Sequence, residues 1–147
     1  MKIRVIWPGK TRKDYFASAI EDYRIRISRM ADLEIVEAAE KKFSDNRSAA
    51  RKRSETAALL GRRSSAPAVY LGATGKMITS EEIAGRLEKH SGGIDFVIGG
   101  PEGFDPPAGA EIWSFGRVTL PHELARVVLL EQIFRALTIL KKIPYHK

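Results

Sequence analysis

Short apolar segments alternate with longer amphipathic ones along this 147-residue chain, and this alternation constrains its fold more than any other feature. Residues at helical spacing predict helices over Arg12–Arg29, Asn46–Leu60, Thr79–His90 and Pro121–Leu140. We therefore expect an α/β fold with a mostly parallel sheet flanked by helices, formed by residues 1–147 as a single domain. The predicted strands are Lys2–Trp7, Leu33–Ala38, Ala68–Leu71, Ile94–Ile98 and Trp113–Phe115.

The last predicted helix, Pro121–Leu140, is too apolar to be an ordinary surface helix. Large aliphatic and aromatic residues leave it few polar positions, whereas a surface helix shows a narrower apolar stripe. We expect this helix to be covered by the sheet and also by a second subunit, as in a homodimer.

Composition excludes several classes of protein. The chain has no cysteine, which excludes disulfides and thiolate metal sites, and its three histidines lack the spacing of a metal centre. No apolar run approaches the roughly 20 residues that span a bilayer. The opening Met1–Ile6 is too short and too alternating for a signal peptide. We expect a cytoplasmic protein with neither a membrane nor a metal partner.

Nearly all of the net charge of +7 lies between Lys41 and Arg63. In that segment only Asp45 and Glu55 oppose the basic residues. Such a face favours phosphate backbones through the release of counterions, although a solvated helix face is the alternative interpretation. The candidate RNA contacts within it are Arg51, Lys52 and Arg53. The full set of basic residues is Lys41, Lys42, Arg47, Arg51, Lys52, Arg53, Arg62 and Arg63.

Two of the predicted strands end in loops that contain glycine. Leu71 precedes Gly72 and Gly75, and Ile98 precedes the run Gly99–Gly103. Ligands of parallel α/β sheets bind beyond the carboxyl ends of the strands, and glycine lets backbone amides approach a ligand closely. These loops are therefore candidate ligand sites, with ordinary turns as the alternative. They contain neither the spaced dinucleotide fingerprint nor a P-loop Lys-Ser/Thr.

His122 lies in the first turn of the last predicted helix, directly after Pro121. The positive end of the helix dipole disfavours a charged imidazolium, so a neutral His122 could exchange a hydrogen bond with a substrate. A role in capping the helix is the alternative. The chain has no catalytic cysteine and no Gly-x-Ser-x-Gly elbow, which argues against covalent nucleophilic catalysis.

A set of segments in this chain resembles one family of RNA-modifying enzymes. The combination is similar to the RlmH family, which are large-subunit ribosomal RNA pseudouridine-N3 methyltransferases of the SPOUT class. The resemblance covers essentially the whole length and is strongest from about Leu71 onward. The segments are Ile98–Gly103, Trp113-Ser114-Phe115, Thr119–Glu123, Arg126-Val127 with Glu131 and Arg135-Ala136, and Pro144-Tyr145-His146-Lys147.

The resemblance implies a parallel α/β fold whose C-terminal segment threads a loop as a trefoil knot. It also implies an obligate homodimer with the cofactor sites at the interface. The implied cofactor is S-adenosylmethionine, and the implied substrate is a pseudouridine in helix 69 of the large-subunit ribosomal RNA, within the assembled ribosome. The reaction would be a direct in-line methyl transfer to N3, for which positioning matters most.

The same resemblance implies site residues. Gly72 replaces the aspartate that usually follows Leu71 in the family, so a role for that carboxylate is not carried over. Because an imide N3–H is a weak acid, a base or a group that stabilises the anion should assist. The candidates are Tyr145 and His146, as substrate-site residues, and His122, with Arg135 as an electrostatic partner. The implied cofactor contacts are Leu71, Gly100, Gly116, Arg117, Val118, Thr119, Leu120 and Pro121.

Three other interpretations stay open at the level of the sequence. The chain could be a SPOUT methyltransferase that acts on another RNA nucleotide. It could also be a non-catalytic ribosome-binding protein with the same fold. The third alternative is an unrelated doubly wound nucleotide-binding domain.

Overall fold

A parallel β-sheet of five strands forms the centre of the structure. The computed structural model describes residues 1–40, 48–101 and 103–147. Within these residues the strand order is β2-β1-β4-β3-β5, and every pair of neighbours is parallel. The predicted α/β class is therefore confirmed. The strands are β1 (Lys2–Pro8), β2 (Asp32–Ala38), β3 (Ala68–Met77), β4 (Gly93–Ile98) and β5 (Glu111–Ser114).

Helices cover both faces of this sheet. They are α1 (Asp14–Ser28), α2 (Ser48–Leu60), α3 (Ser80–Lys89) and α4 (His122–Leu140). Successive side chains of a strand point to opposite faces, and β1 shows this clearly. Val5 and Trp7 pack with α1, α3 and α4, whereas Ile6 packs with Leu59 of α2. The central β4 is buried on both faces, which accounts for its continuous apolar run.

Strand β3 is longer than its apolar run predicts. The predicted strand ended at Leu71, with Gly72 and Gly75 in a loop, but β3 continues to Met77. Leu71 and Lys76 both pair with Trp113, so the residues between them bulge out of the ladder. At Gly75 a Cβ atom would lie 2.6 Å from the backbone of Ile112, and only glycine allows this approach. The bulge breaks the alternation on which the sequence-based prediction depended.

The helix boundaries follow local signals closely. Thr79 caps α3, because its Oγ1 accepts from the Glu82 N–H at 3.1 Å and the Glu82 carboxylate accepts from the Thr79 N–H at 2.7 Å. Pro121 precedes α4 and is the residue at its N-cap. The predicted start of α2 at Asn46 lies outside the described residues, as do the basic residues Lys41, Lys42 and Arg47.

The apolar helix α4 is covered largely by its own chain. It packs against α1, α3 and the sheet, which accounts for much of its composition without a second subunit. Leu124, Val127 and Val128 nevertheless stay only half-buried and form a stripe along one side of the helix. Among the described residues, no helix combines the length and apolar character needed to cross a bilayer.

Candidate active site

A cavity of about 410 Å³ lies at the carboxyl edge of the sheet. It is lined by the part of β3 from Leu71 to Thr74, by residues 98–101, 103 and 104 of the loop after β4, and by residues 112–116 and 118–120. His122 and Ala125 of α4 close one side. Parallel α/β sheets bind their ligands at this edge. The two predicted glycine segments meet here, although Gly72 belongs to β3 and not to the loop that the sequence predicted.

Most of the residues implied for the cofactor line this cavity. Leu71, Gly100, Gly116, Val118, Thr119 and Leu120 are lining residues, whereas Arg117 and Pro121 belong to the same segment without lining it. The side chain of Val118 is 74% exposed, which is high for a large apolar residue. An exposed apolar side chain at the wall of a cavity offers a contact surface for a flat ring.

The loop after β4 is shaped by close contacts as well as by its position. At Gly99 a Cβ atom would lie 2.5 Å from Cδ1 of Phe104, so a side chain there would displace the loop. The Gly103 N–H donates to the Gly100 carbonyl at 2.9 Å and closes a tight turn. The glycines of this loop therefore form a tight turn, and the same glycines also line the cavity.

His122 lies at the wall of the cavity, where its surroundings favour the neutral imidazole. Burial lowers its pKa, and the nearby charge of Arg126 lowers that pKa further. Its Nε2 lies 3.8 Å from Oε2 of Glu123. The structure thus agrees with the expected neutral imidazole, although burial and not the helix dipole is the main cause. A neutral imidazole can accept a proton from a ligand in the cavity.

Arg126 fastens the beginning of α4 to the end of β1. Its side chain is 1% exposed, and its Cζ lies 5.1 Å from the centroid of the Trp7 ring. The guanidinium donates to the carbonyls of Pro8 at 2.7 Å and Gly9 at 3.3 Å, and to Oγ1 of Thr11 at 3.0 Å. A buried arginine held by so many acceptors fixes the two elements relative to each other.

Glu123, in the first turn of α4, completes this connection. Its Oε1 accepts from the backbone N–H groups of Arg12 and Lys13, both at 3.0 Å. The loop after β1 thereby holds the first turn of α4 in place. This turn contains His122 and comes directly after the cavity residue Leu120 and Pro121. The sequence analysis placed Glu123 and Arg126 in segments that carry the family resemblance but gave neither a positioning role.

The other candidate catalytic residues form a second cluster, on the C-terminal half of α4. The Tyr145 hydroxyl donates to Oε1 of Glu131 at 3.1 Å, and Arg135 pairs with the same oxygen at 2.5 Å. His146 places Nδ1 3.2 Å from the Arg135 guanidinium and Nε2 2.7 Å from Oε1 of Glu81. Tyr145, His146 and Arg135 are therefore brought together, as expected of one site.

This tail cluster, defined by Glu81, Glu131, Arg135, Tyr145 and His146, lies far from His122 in the same protomer. An α-helix advances about 1.5 Å per residue, so Arg135 lies about 20 Å further along α4 than His122. None of the five residues lines the cavity. One protomer therefore separates the candidate catalytic residues into two groups.

Tyr145 acts as a hydrogen-bond donor within the tail cluster. Burial, together with the hydrogen bond to Glu131, raises its pKa to about 12. The phenol accordingly keeps its proton near neutral pH, so in this arrangement it donates and does not serve as a base.

The three candidate RNA contacts on α2 have different environments. The Nε of Arg51 donates to Oε1 of Glu55 at 2.9 Å, inside the protein. Lys52 lines the cavity and places Nζ 3.2 Å from Oδ1 of Asp105. Arg53 alone of the three is exposed. These three residues, the described part of the run on α2, therefore do not form one shared cationic face.

Glu55 is a further residue that the sequence analysis did not single out. It is 1% exposed, and no described residue forms a hydrogen bond with its Oε2. That oxygen lies 3.0 Å from the position that a Cβ atom would take at Gly100. The buried carboxylate of Glu55 therefore packs directly against Gly100 of the glycine loop. In the sequence Glu55 was only one of two acids among many basic residues.

Comparisons with known proteins agree with this architecture. A family model described as "Predicted SPOUT methyltransferase" matches residues 1–146. The crystal structure of TrmJ from Z. mobilis ZM4 shares the fold, with a TM-score of 0.51 and 15% identity over 92% of this chain and 70% of that one. The chain thus has the fold of a SPOUT methyltransferase.

Full-length relatives give the particular group. Proteins named ribosomal RNA large subunit methyltransferase H are 41% identical in Limosilactobacillus reuteri (strain DSM 20016) and 38% identical in Bifidobacterium animalis subsp. lactis (strain AD011), over 100% of both chains. The protein of that name from Gloeobacter violaceus is 37% identical over 99% of both chains. The chain belongs to the SPOUT methyltransferase family and, within it, to the group of these methyltransferase H proteins. The family predicted from the motifs is confirmed, whereas the trefoil knot and the single domain stay predictions.

Proposed function

We propose that this protein transfers a methyl group from S-adenosylmethionine to N3 of a pseudouridine in helix 69 of the large-subunit ribosomal RNA. The reaction takes place on the assembled ribosome and hence in the cytoplasm. The observation that carries this proposal is the cavity at the carboxyl edge of the sheet, because six of the eight residues implied for the cofactor line it. The names of the full-length relatives support ribosomal RNA as the substrate.

The cavity fits S-adenosylmethionine in size and in charge. Its volume of about 410 Å³ is in the range of pockets that hold one small molecule. Leu71, Val118 and Leu120 provide apolar walls for an adenine ring, and the backbone of the glycine loop provides polar groups. The lowered pKa of His122 keeps a positive charge away from a sulfonium. When bound, the cofactor supplies an electrophilic methyl group.

The chain itself must position the nucleoside and accept its N3 proton. His122 meets the requirements of a base within the protomer, because it is neutral and lies at the cavity. His146 is the second imidazole available, in the tail cluster. Arg135 offers a positive charge for the anion that forms as the proton leaves. Tyr145 orients its neighbours as a donor, consistent with its raised pKa.

A homodimer would unite the two groups of candidate residues. The tail cluster lies about 20 Å along α4 from His122, so a second copy is needed to bring one tail to the other cavity. The half-buried stripe of Leu124, Val127 and Val128 continues along the same side of α4 into Glu131 and Arg135. An apolar stripe that ends in the tail cluster supports an interface at that side, formed by the same surface of both copies.

A methylation assay tests the proposed function directly. Ribosomes that lack the N3-methyl mark in helix 69 are incubated with the protein and labelled S-adenosylmethionine, and the modified nucleotide is mapped by mass spectrometry. We expect label at the helix 69 pseudouridine. Label at a different nucleotide would overturn the proposed substrate, and cofactor binding without any label would favour a non-catalytic ribosome-binding protein.

A further inference from the structure

The described lining of the cavity contains one cationic side chain and no acidic one. Of the lining residues that the structure describes, Lys52 is the one with a permanently charged side chain. The other walls are apolar side chains, hydroxyl groups, backbone and the neutral His122. Among the described lining residues, a ligand that enters the cavity therefore meets one cation, at the wall that α2 contributes.

Lys52 is held at the rim of the cavity by an ion pair that can be exchanged. Its side chain is 37% exposed, and its Nζ lies 3.2 Å from Oδ1 of Asp105, which is 62% exposed. The Asp105 N–H donates to Oγ1 of Thr56 at 3.0 Å, so the backbone of this aspartate is attached to α2 one turn beyond Lys52. An exposed ion pair contributes little free energy. A second carboxylate can accordingly replace Asp105 at little cost.

The methyl donor carries one anionic group that matches this cation. Its amino-acid end bears a carboxylate and an ammonium, and its sulfonium is also positive, so the carboxylate is the only group that Lys52 attracts. A charge-assisted hydrogen bond between an ammonium and a carboxylate is stronger than a neutral one. One cation in an otherwise apolar cavity also determines the orientation of the ligand, because the carboxylate end must lie next to the cation.

We propose that Lys52 binds the carboxylate of S-adenosylmethionine, in exchange for its pair with Asp105. This inference rests on the proposed function, since it assigns a contact within the same cavity. It moves Lys52 from the expected RNA contacts to the cofactor site. The neighbouring Arg53, which is exposed and outside the cavity, stays available for phosphate groups.

The test measures binding and needs no turnover. Isothermal titration calorimetry gives the affinity of the full chain for two ligands, S-adenosylhomocysteine and S-adenosyl-3-thiopropylamine, which is the same molecule without the carboxylate. The variants are Lys52→Met, Lys52→Arg and the control Arg62→Met. Arg62 is exposed just beyond the C-terminal end of α2, so the control removes the same charge away from the cavity.

We expect Lys52→Met to weaken the binding of S-adenosylhomocysteine by about tenfold, as for the loss of one hydrogen bond to a charged group. Its affinity for the ligand without the carboxylate should stay within about twofold of the wild-type value. Lys52→Arg should retain most of the affinity for S-adenosylhomocysteine. Arg62→Met should bind both ligands as the wild-type protein does.

Other outcomes would overturn the inference in distinguishable ways. Equal weakening of both ligands by Lys52→Met would indicate a change in cavity shape and not recognition of the carboxylate. Unchanged affinity for S-adenosylhomocysteine with weaker ribosome binding would assign Lys52 to an RNA phosphate. If the wild-type protein bound neither ligand, the proposed function itself would fail, and this inference with it.

Discussion

Tyr145 donates a hydrogen bond to Glu131 over 3.1 Å and thereby fastens the C-terminal tail to α4. The Tyr145 ring also packs edge-on against Phe134, with 4.8 Å between the ring centroids, and the Cζ of Arg135 lies 4.8 Å from its centroid. Terminal residues are usually poorly ordered unless such contacts hold them. The tail is therefore docked on the side of α4 where we propose the second copy.

Removal of the tail should separate catalysis from assembly. We expect deletion of Tyr145–Lys147 to abolish methylation while the dimer stays intact, because the apolar stripe of α4 is retained. The methylation assay and light scattering after gel filtration measure the two properties. Deletion of the exposed Lys147 alone is the matched control and should preserve activity. Full activity of the longer deletion would exclude the tail from the site.

The hydroxyl of Tyr145 should lose its proton at a higher pH than an ordinary tyrosine does. Its raised pKa means that folding favours the protonated phenol, so its stabilising effect is complete below pH 10 and is lost as the pH rises towards about 12. In an ultraviolet titration of the tyrosines, Tyr145→Phe should remove a component that titrates near pH 12. The stability difference between wild type and variant should shrink above pH 10. Loss of an early component instead would contradict the contact with Glu131.

The pH dependence of methylation should report the burial of His122. If His122 accepts the N3 proton, kcat falls only once the pH drops below its lowered pKa, which lies below the ordinary value of 6.5. The midpoint of the acid limb in the wild-type pH profile should therefore lie below pH 6.5. His122→Asn should abolish this acid limb along with most of the activity, and His90→Asn, at the end of α3, should leave it unchanged. A wild-type limb above pH 6.5 would speak against His122 as the base.

Arg126→Met should destabilise the protein strongly. The substitution leaves the Pro8 and Gly9 carbonyls without their buried donor, and removal of one partner from such a buried charged network costs about 3 kcal/mol. Urea unfolding measures this loss in the free energy of unfolding. Arg24→Met, which breaks an exposed pair with Glu21, is the control and should change little. Similar stability of both variants would contradict a positioning role for Arg126.

Arg53 should contribute to ribosome binding without affecting the cofactor. Arg53→Gln removes one exposed charge, so the slope of log K against log salt should become shallower by about 1. Ribosome binding at several salt concentrations gives this slope, and calorimetry should show unchanged affinity for S-adenosylhomocysteine. An unaltered slope would remove Arg53 from the RNA surface. Neutralising Arg51 and Lys52 as well would confound the result, because the former pairs with buried Glu55 and the latter lines the cavity.

Local patterns predicted the elements that depend on local physics. The apolar run of β4 indicated a central parallel strand, and Thr79 with Glu82 indicated the start of α3, because both signals reside in neighbouring residues. The prediction for β3 was wrong beyond Leu71, since its bulge depends on pairing with Trp113 from a distant segment. A strand that leaves and rejoins a ladder carries no regular periodicity.

The sequence by itself determined the α/β class and the family, and it predicted six residues that line the cavity. Its motifs and periodicities lie in short stretches, and parallel strands bring their carboxyl ends to one edge. Only the tertiary structure decided which distant groups meet. Arg126 reaches the Pro8 carbonyl across 118 residues, and His146 reaches Glu81 across 65. The tertiary structure also places His122 far from the tail cluster and places Lys52 at the cavity. These positions depend on how the helices pack on the sheet, and such packing leaves no pattern in neighbouring residues.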